Sequence, residues 1–123
     1  MGTRCLTFVY EGDTPVINIY RQFDGYPSGH GFELAEFLGG FEIVNGYGEV
    51  KPKLANGMGC LAAQMVAHFK KSVGGFYIHP VTDTDCWQEY EYHVFENRVV
   101  VKNPDNVMFS GTFEEFKDFC VED

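Results

Sequence analysis

The sequence predicts an α+β fold in a single domain, an antiparallel β-sheet of about five strands with two or three helices on one face. Three observations carry this. Short β-branched and aromatic runs alternate apolar with polar residues, most strictly from Trp87 to Phe95. Between them, Met58, Leu61, Ala62, Met65 and Phe69 recur at helical spacing from about Asn56 to Ser72. The length, 123 residues, suits one core and leaves no room for a second domain, so residues 1–123 read as one unit.

The first two strands are Cys5 to Tyr10 and Val16 to Arg21, joined by the polar, glycine-containing run Glu11-Gly12-Asp13-Thr14. Pairing Tyr10 with Pro15 sets Phe8 opposite Ile17, Leu6 opposite Ile19 and Arg4 opposite Arg21, giving an apolar face and one like-charged pair. A slip of one residue would send the two arginines to opposite faces. Phe32 to Leu38 has acids in its early turns and Gly39-Gly40 as a stop, which predicts a helix. Residues 41–53 hold Gly46, Gly48 and Pro52 and read as irregular. The long helix follows, with Lys70 and Lys71 in its last turn and Gly74-Gly75 at its end.

Phe76 to His79 reads as a strand stopped by Pro80. Trp87 to Phe95 places Tyr90, Tyr92 and Val94 on one face and Trp87, Glu89, Glu91 and His93 on the other. A hairpin at Glu96-Asn97 returns through Arg98 to Lys102 and sets Glu91 opposite Lys102, an opposite-charge pair. Val107 to Phe109 adds a short strand. Thr112-Phe113-Glu114-Glu115 has the capping-box form that opens a last helix through Phe116 and Phe119.

Charge narrows the partners. Eighteen acidic residues against nine basic ones give a net charge of -9. Such a surface repels phosphate backbones and anionic lipid, which excludes duplex nucleic acid and membranes as expected partners. Cys5, Cys60, Cys86 and Cys120 form no C-x-x-C pair, and neither a secretory segment nor a membrane-spanning apolar run is visible. Reduced thiols in a cytoplasmic protein are therefore expected. The Met-Gly start lacks the Ser or Thr of a myristoylation signal, because Leu6 stands there. His30, His68, His79 and His93 share no metal-ligand spacing with a cysteine or with one another, so no metal and no cofactor are expected. His68 lies near the apolar stripe of the long helix and reads as semi-buried.

The candidate site is the loop Tyr20-Arg21-Gln22-Phe23-Asp24-Gly25-Tyr26-Pro27-Ser28-Gly29-His30-Gly31, which leaves a strand and opens a helix. Arg4 and Arg21 at its mouth, with backbone N–H groups around Gly29, His30, Gly31 and Phe32, would hold a phosphate or carboxylate. Tyr20, Phe23 and Tyr26 would form a stacking wall, Asp24 would accept hydrogen bonds from hydroxyls, Ser28 lies in the same turn, and His30 would serve as donor or as acid and base. Against this stand plainer roles: a carboxylate pairing one arginine, Asp24 capping a turn, and the rings plugging the core. Trp87, Glu89, Glu91 and His93 offer paired carboxylates on one strand face, although a solvated face with one salt bridge to Lys102 accounts for them better.

The residues Gly2-Thr3-Arg4 with Leu6, then Asp24-Gly25-Tyr26-Pro27 and Gly29-His30-Gly31, resemble a family of small uncharacterised phage and microbial proteins that start G-T-R-x-L and carry D-G-Y-P-x-G-x-G about twenty residues on. The likeness extends to Asn56-Gly57 and to the strand from Trp87 to Tyr92. It departs at Phe23 and His30, where that family has Trp and Gln, and it does not include Arg21, which leaves Arg4 and Asp24 as the better site residues. The resemblance implies a phage or bacterial cytoplasmic protein and supplies no reaction. A weaker likeness, to N-terminal nucleophile hydrolases of the bile-salt hydrolase kind, fails because Gly2 stands where the nucleophile belongs.

The function expected is the binding of an anionic small molecule, such as a nucleotide or nucleotide-derived signal, at residues 20–31. Two alternatives are a hydrolase-type enzyme at the same pocket and an interaction module that docks on a host protein. A sheet edge also leaves self-association open.

Overall fold

The computed structural model describes residues 2–122. Strands β1 (Cys5–Glu11) and β2 (Thr14–Arg21) form a hairpin, and a five-residue π-helical turn, Pro27–Gly31, runs straight into helix α1 (Phe32–Leu38). Two short strands, β3 (Glu42–Val44) and β4 (Leu54–Asn56), precede α2 (Gly57–Phe69) and β5 (Phe76–His79). The meander β6 (Tyr90–Phe95), β7 (Arg98–Asn103) and β8 (Asn106–Gly111) leads to α3 (Phe113–Glu122). The α+β class expected is the one found, with more strands: a six-stranded sheet in the order β5-β2-β1-β6-β7-β8, and a separate β3-β4 pair within the stretch expected to be irregular.

The sheet is antiparallel except at its centre, where β1 pairs with β6 in parallel, Phe8 opposite His93. That pairing joins residues about 85 positions apart, and no local pattern announces it. The helices lie on one face. Cys5, Val9, Ile19, Tyr92, Val94, Val99 and Val101 point into that layer and meet Leu34, Leu38, Leu61, Met65, Phe113 and Phe116 in a single apolar core. Thr112 closes α3 by the expected capping box: its hydroxyl accepts from the Glu115 N–H at 3.2 Å, and Glu115 accepts from the Thr112 N–H at 2.8 Å.

The β1–β2 register departs from the simple hairpin. Tyr10 does pair with Pro15, but the ladder then shifts by one residue, setting Val9 opposite Ile17, Phe8 opposite Asn18, Leu6 opposite Tyr20 and Cys5 opposite Arg21. Proline has no N–H to carry the ladder through position 15, and Val16 becomes the extra residue of a bulge. Everything beyond it changes face. Arg21 faces the helices, Arg4 does not, and the expected Arg4–Arg21 pair is absent.

On the face without helices, Leu6, Phe8 and Tyr20 form a second, smaller cluster with Tyr10 and Cys86. Asn18, His79, Glu91 and His93 share this face, as the alternation along each strand requires. The loop between β5 and β6 is tied to it. Asn18 Nδ2 donates to the carbonyls of Pro80 at 3.1 Å and Asp83 at 2.9 Å. The expected strand from Trp87 starts only at Tyr90, because Trp87 adopts a φ of +63°, in the left-handed region that ends strand geometry. Among the described residues no helix is long and apolar enough to cross a membrane.

Candidate functional site on the uncovered sheet face

The glycine-rich loop is built inward. His30 is buried, with its ring edge-on to Tyr92 at 5.1 Å and tilted against Phe69 at 5.4 Å. Its Nδ1 lies 3.2 Å from Arg21 Nη1 and its Nε2 lies 2.8 Å from Thr7 Oγ1. A guanidinium can only donate, so Nδ1 is the acceptor and Nε2 carries the hydrogen given to Thr7. Burial and the adjacent Arg21 charge push the His30 pKa down to about 3, so the ring is neutral. Arg21 is spent on His30, on Glu33 at 3.2 Å and on the face of Phe76 at 4.8 Å. These two residues knit β1, β2 and α1 together, and His30 does not reach a ligand as acid or base.

The backbone donors expected to hold an anion are likewise occupied. The N–H groups of Gly29 and Gly31 donate to Tyr26, that of His30 to Asp24, and that of Phe32 back into the turn. The glycines serve close approach rather than ligand access. A Cβ on Gly25 would lie 2.8 Å from Cys5 Cβ and 2.9 Å from Arg4 backbone, one on Gly29 2.5 Å from the Asp24 carbonyl, and one on Gly31 3.0 Å from Cys120 Sγ. Tyr92 fastens the loop to the sheet by donating to the Gly25 carbonyl at 2.7 Å.

What the loop leaves outside is Phe23, Asp24, Tyr26 and Ser28. The Tyr26 hydroxyl donates to Asp24 Oδ1 at 3.3 Å. Tyr20 is not in a wall with these rings. It stands on β2, on the uncovered face, where it stacks on His79 at 5.0 Å and donates to Gln22 Oε1 at 2.7 Å. Of the nine residues expected to bind a ligand, Arg4 and Tyr20 therefore share this face, Asp24, Tyr26 and Ser28 are exposed on the loop, and Arg21, Gly29, His30 and Gly31 support it from within.

Arg4 immediately precedes β1, at the point where the loop and the Trp87 turn both meet the chain. Gly25 donates to the Thr3 carbonyl at 2.8 Å, and Glu89 donates to the Arg4 carbonyl at 2.9 Å. The Glu89 carboxylate accepts from the Arg4 backbone N–H at 2.6 Å. The Arg4 guanidinium itself donates to the Trp87 carbonyl at 3.4 Å, and no carboxylate of the described residues comes within ion-pair distance of it. Burial pushes the Tyr20 phenol up, and the nearby Arg4 charge opposes that rise. Trp87 is 82 % exposed on its strained backbone.

Two more clusters lie on the same face. Glu91 Oε1 accepts from His93 Nε2 at 3.0 Å, so His93 Nδ1 accepts from the Tyr10 hydroxyl at 2.6 Å. Phe8 stacks on His93 and Phe95 on Tyr10, which fixes both rings. The His93 bond holds the Glu91 carboxyl below the usual carboxylate range, while burial and Glu91 push the Tyr10 phenol up. This is a relay able to pass a proton between a phenol and a carboxylate. Glu91 is opposite Lys102 in the ladder as expected, but its oxygens go to His93 and Gln88.

The other cluster joins His79, Asp83 and Cys86, whose ligand atoms lie within 4.8 Å of one another. The sequence signal was present as His79-x3-Asp83-x2-Cys86, and a search confined to His and Cys passes over it. His68, by contrast, is exposed, its ring laid against Phe37 at 4.9 Å. On the helical side, an apolar cleft of about 190 Å³ between α2 and β5 is lined by Ile19, Val66, Phe69, Phe76 and Ile78. No protein-family model matches the chain, and neither a curated protein nor a solved structure matches it.

Proposed function

We propose that the protein binds a small aromatic anion, of the nucleotide class, at the Arg4 corner of the uncovered sheet face. The observation that carries this is the Arg4 guanidinium, which has no carboxylate partner among the described residues of a chain with twice as many acids as bases. A planar fork bonded to the Trp87 carbonyl and the Tyr20 hydroxyl still has donors left for a phosphate or carboxylate. Trp87 supplies the stacking surface, and its left-handed backbone is strain of the kind that persists where a side chain is held out for use. Phe23 lies against Gly2, and on the same exposed loop the Tyr26 hydroxyl donates to Asp24, whose carboxylate is placed to accept from hydroxyls. The free thiols of Cys5, Cys60 and Cys86 agree with a cytoplasmic setting.

The anion site differs in construction from a phosphate loop: one arginine and aromatic faces replace the backbone N–H groups, which are all engaged within the turn. Denaturing release of co-purified small molecules, read by mass spectrometry, tests it. A nucleotide-like anion present in the native protein and lost in Arg4→Ala is the expected result. A compound retained in Arg4→Ala would place binding elsewhere, and one stoichiometric host protein with no small molecule would favour docking through Phe23, Tyr26 and Trp87.

A further inference from the structure

We propose that His79, Asp83 and Cys86 form a binding site for a divalent transition-metal ion of the zinc class. A tetrahedral zinc centre, with bonds of about 2.0 Å to nitrogen or oxygen and about 2.3 Å to sulfur, sets its ligand atoms roughly 3.4 to 3.7 Å apart. His79 Nδ1 lies 3.6 Å from Asp83 Oδ2 and 3.4 Å from Cys86 Sγ. Two of the three donor pairs thus already stand at ligand spacing, and all three ligand atoms lie within 4.8 Å of one another. Nitrogen, sulfur and oxygen donors together select zinc over magnesium or calcium, which take oxygen shells.

The surroundings hold the three groups in place. His79 is fixed by the Tyr20 ring stacked on it at 5.0 Å. Asn18, directly across the ladder from His79, clamps the carbonyls of Pro80 and Asp83, and the Asp83 N–H donates to Pro80 at 3.0 Å. The Cys86 N–H donates to Gln88 Oε1 at 2.7 Å. Such supporting bonds are what orient ligands at protein metal sites. Asn18 is fully buried, and its Oδ1 accepts no hydrogen bond among the described residues. Three protein ligands leave the fourth position of a tetrahedron to water. His79 and Cys86 are half-buried and Asp83 is exposed, so the site is open to ions from solvent.

Cobalt(II) is the probe, because it takes zinc's geometry and reports a thiolate ligand by a charge-transfer absorption. Titration of the full-length protein should raise that band to saturation at one equivalent, and Zn²⁺ should abolish it. Cys86→Ser should lose the band, while Cys60→Ser, which removes another half-buried thiol, should keep it. Asp83→Asn changes an exposed side chain outside the core, and in it Zn²⁺ affinity, measured against a chelating dye, should fall at least tenfold. No band in the folded protein, a band that survives Cys86→Ser, or unchanged Zn²⁺ affinity in Asp83→Asn would each overturn the assignment. The cobalt signal reports the metal whether or not an anion binds at Arg4, so the two proposals fail separately.

Discussion

His30 makes stability depend on pH in a way that can be worked from the structure. Its folded pKa is about 3 against 6.5 for a free ring, because it is buried and faces Arg21. Above pH 6.5 neither state carries the proton and His30 has no influence on the pH profile. Below 6.5 the unfolded chain binds a proton that the folded chain refuses, so stability falls as pH falls, by about 1.4 kcal/mol per pH unit, until about pH 3. Between pH 6.5 and 4.5 this amounts to roughly 2.7 kcal/mol, a large share of a typical domain's 5 to 15 kcal/mol. His30→Gln removes the titration and, by leaving Thr7 and Arg21 poorly matched, costs about 2 to 4 kcal/mol at pH 7. Urea denaturation of both proteins from pH 7.5 to 4.5 measures it. Carboxylates and the other histidines act in both proteins, so the stability gap between wild type and variant should close by about 1.4 kcal/mol per unit below 6.5. A gap that stays constant over that range, or a His30 ring that titrates near 6.5 in the folded protein, would refute the reasoning.

Three further outcomes follow from the packing. Gly25→Ala, whose Cβ would press on Cys5 and on the backbone of Thr3 and Arg4, should destabilise by about 1 to 3 kcal/mol in urea melts, with Gly31→Ala less severe because its closest neighbour is the Cys120 thiol. Thr112→Ala should cost about 1 kcal/mol by removing one half of the α3 capping box, and Thr112→Ser should restore most of it. Trp87→Gly should leave thermal stability unchanged or slightly raised, since relief of the left-handed backbone, about 1 kcal/mol, offsets glycine's looser unfolded state. A steep loss of stability in Trp87→Gly would show that the ring packs rather than projects.

Local patterns made much of the fold legible. Phe32–Leu38, Phe76–His79, the β6–β7 hairpin with Glu91 opposite Lys102, and the Thr112 cap all rest on neighbours a few residues away, and each stands where the sequence places it. The parallel β1–β6 pairing did not show, because parallel strands leave no turn signature and this one spans most of the chain. Pro15 misdirected the hairpin: it pairs with Tyr10 as its position suggests, yet its missing N–H allows the bulge at Val16 that moves Arg4 and Arg21 apart. In the loop, glycines suggested open backbone, whereas Gly25, Gly29 and Gly31 are small because Cys5, the Asp24 carbonyl and Cys120 crowd them. The composition of that loop could not tell an inward histidine from an outward one, and His30 turns inward.

The uncovered face gathers most of the remaining chemistry. Tyr20 lies between the Arg4 guanidinium and His79, so a molecule held at Arg4 would sit beside the His79–Asp83–Cys86 cluster. The Tyr10–His93–Glu91 relay runs along β1 from Tyr10 near its far end to Glu91, which stands opposite Leu6, two residues from Arg4. The helices cover the other face, which explains why so small a chain keeps its polar side chains together on this one.

Trp87 is the only tryptophan in the chain, and its carbonyl is bonded to Arg4, so its fluorescence reports directly on the central claim. Titration with adenosine 5′-monophosphate, with adenosine and inorganic phosphate as separate arms, should give a saturable change for the monophosphate, weaker responses for either half alone, and at least a tenfold loss of affinity in Arg4→Ala, as expected for removal of a charge-assisted hydrogen-bonding fork. A flat signal in all three arms up to millimolar concentration, or the same affinity in Arg4→Ala as in the wild type, would contradict it.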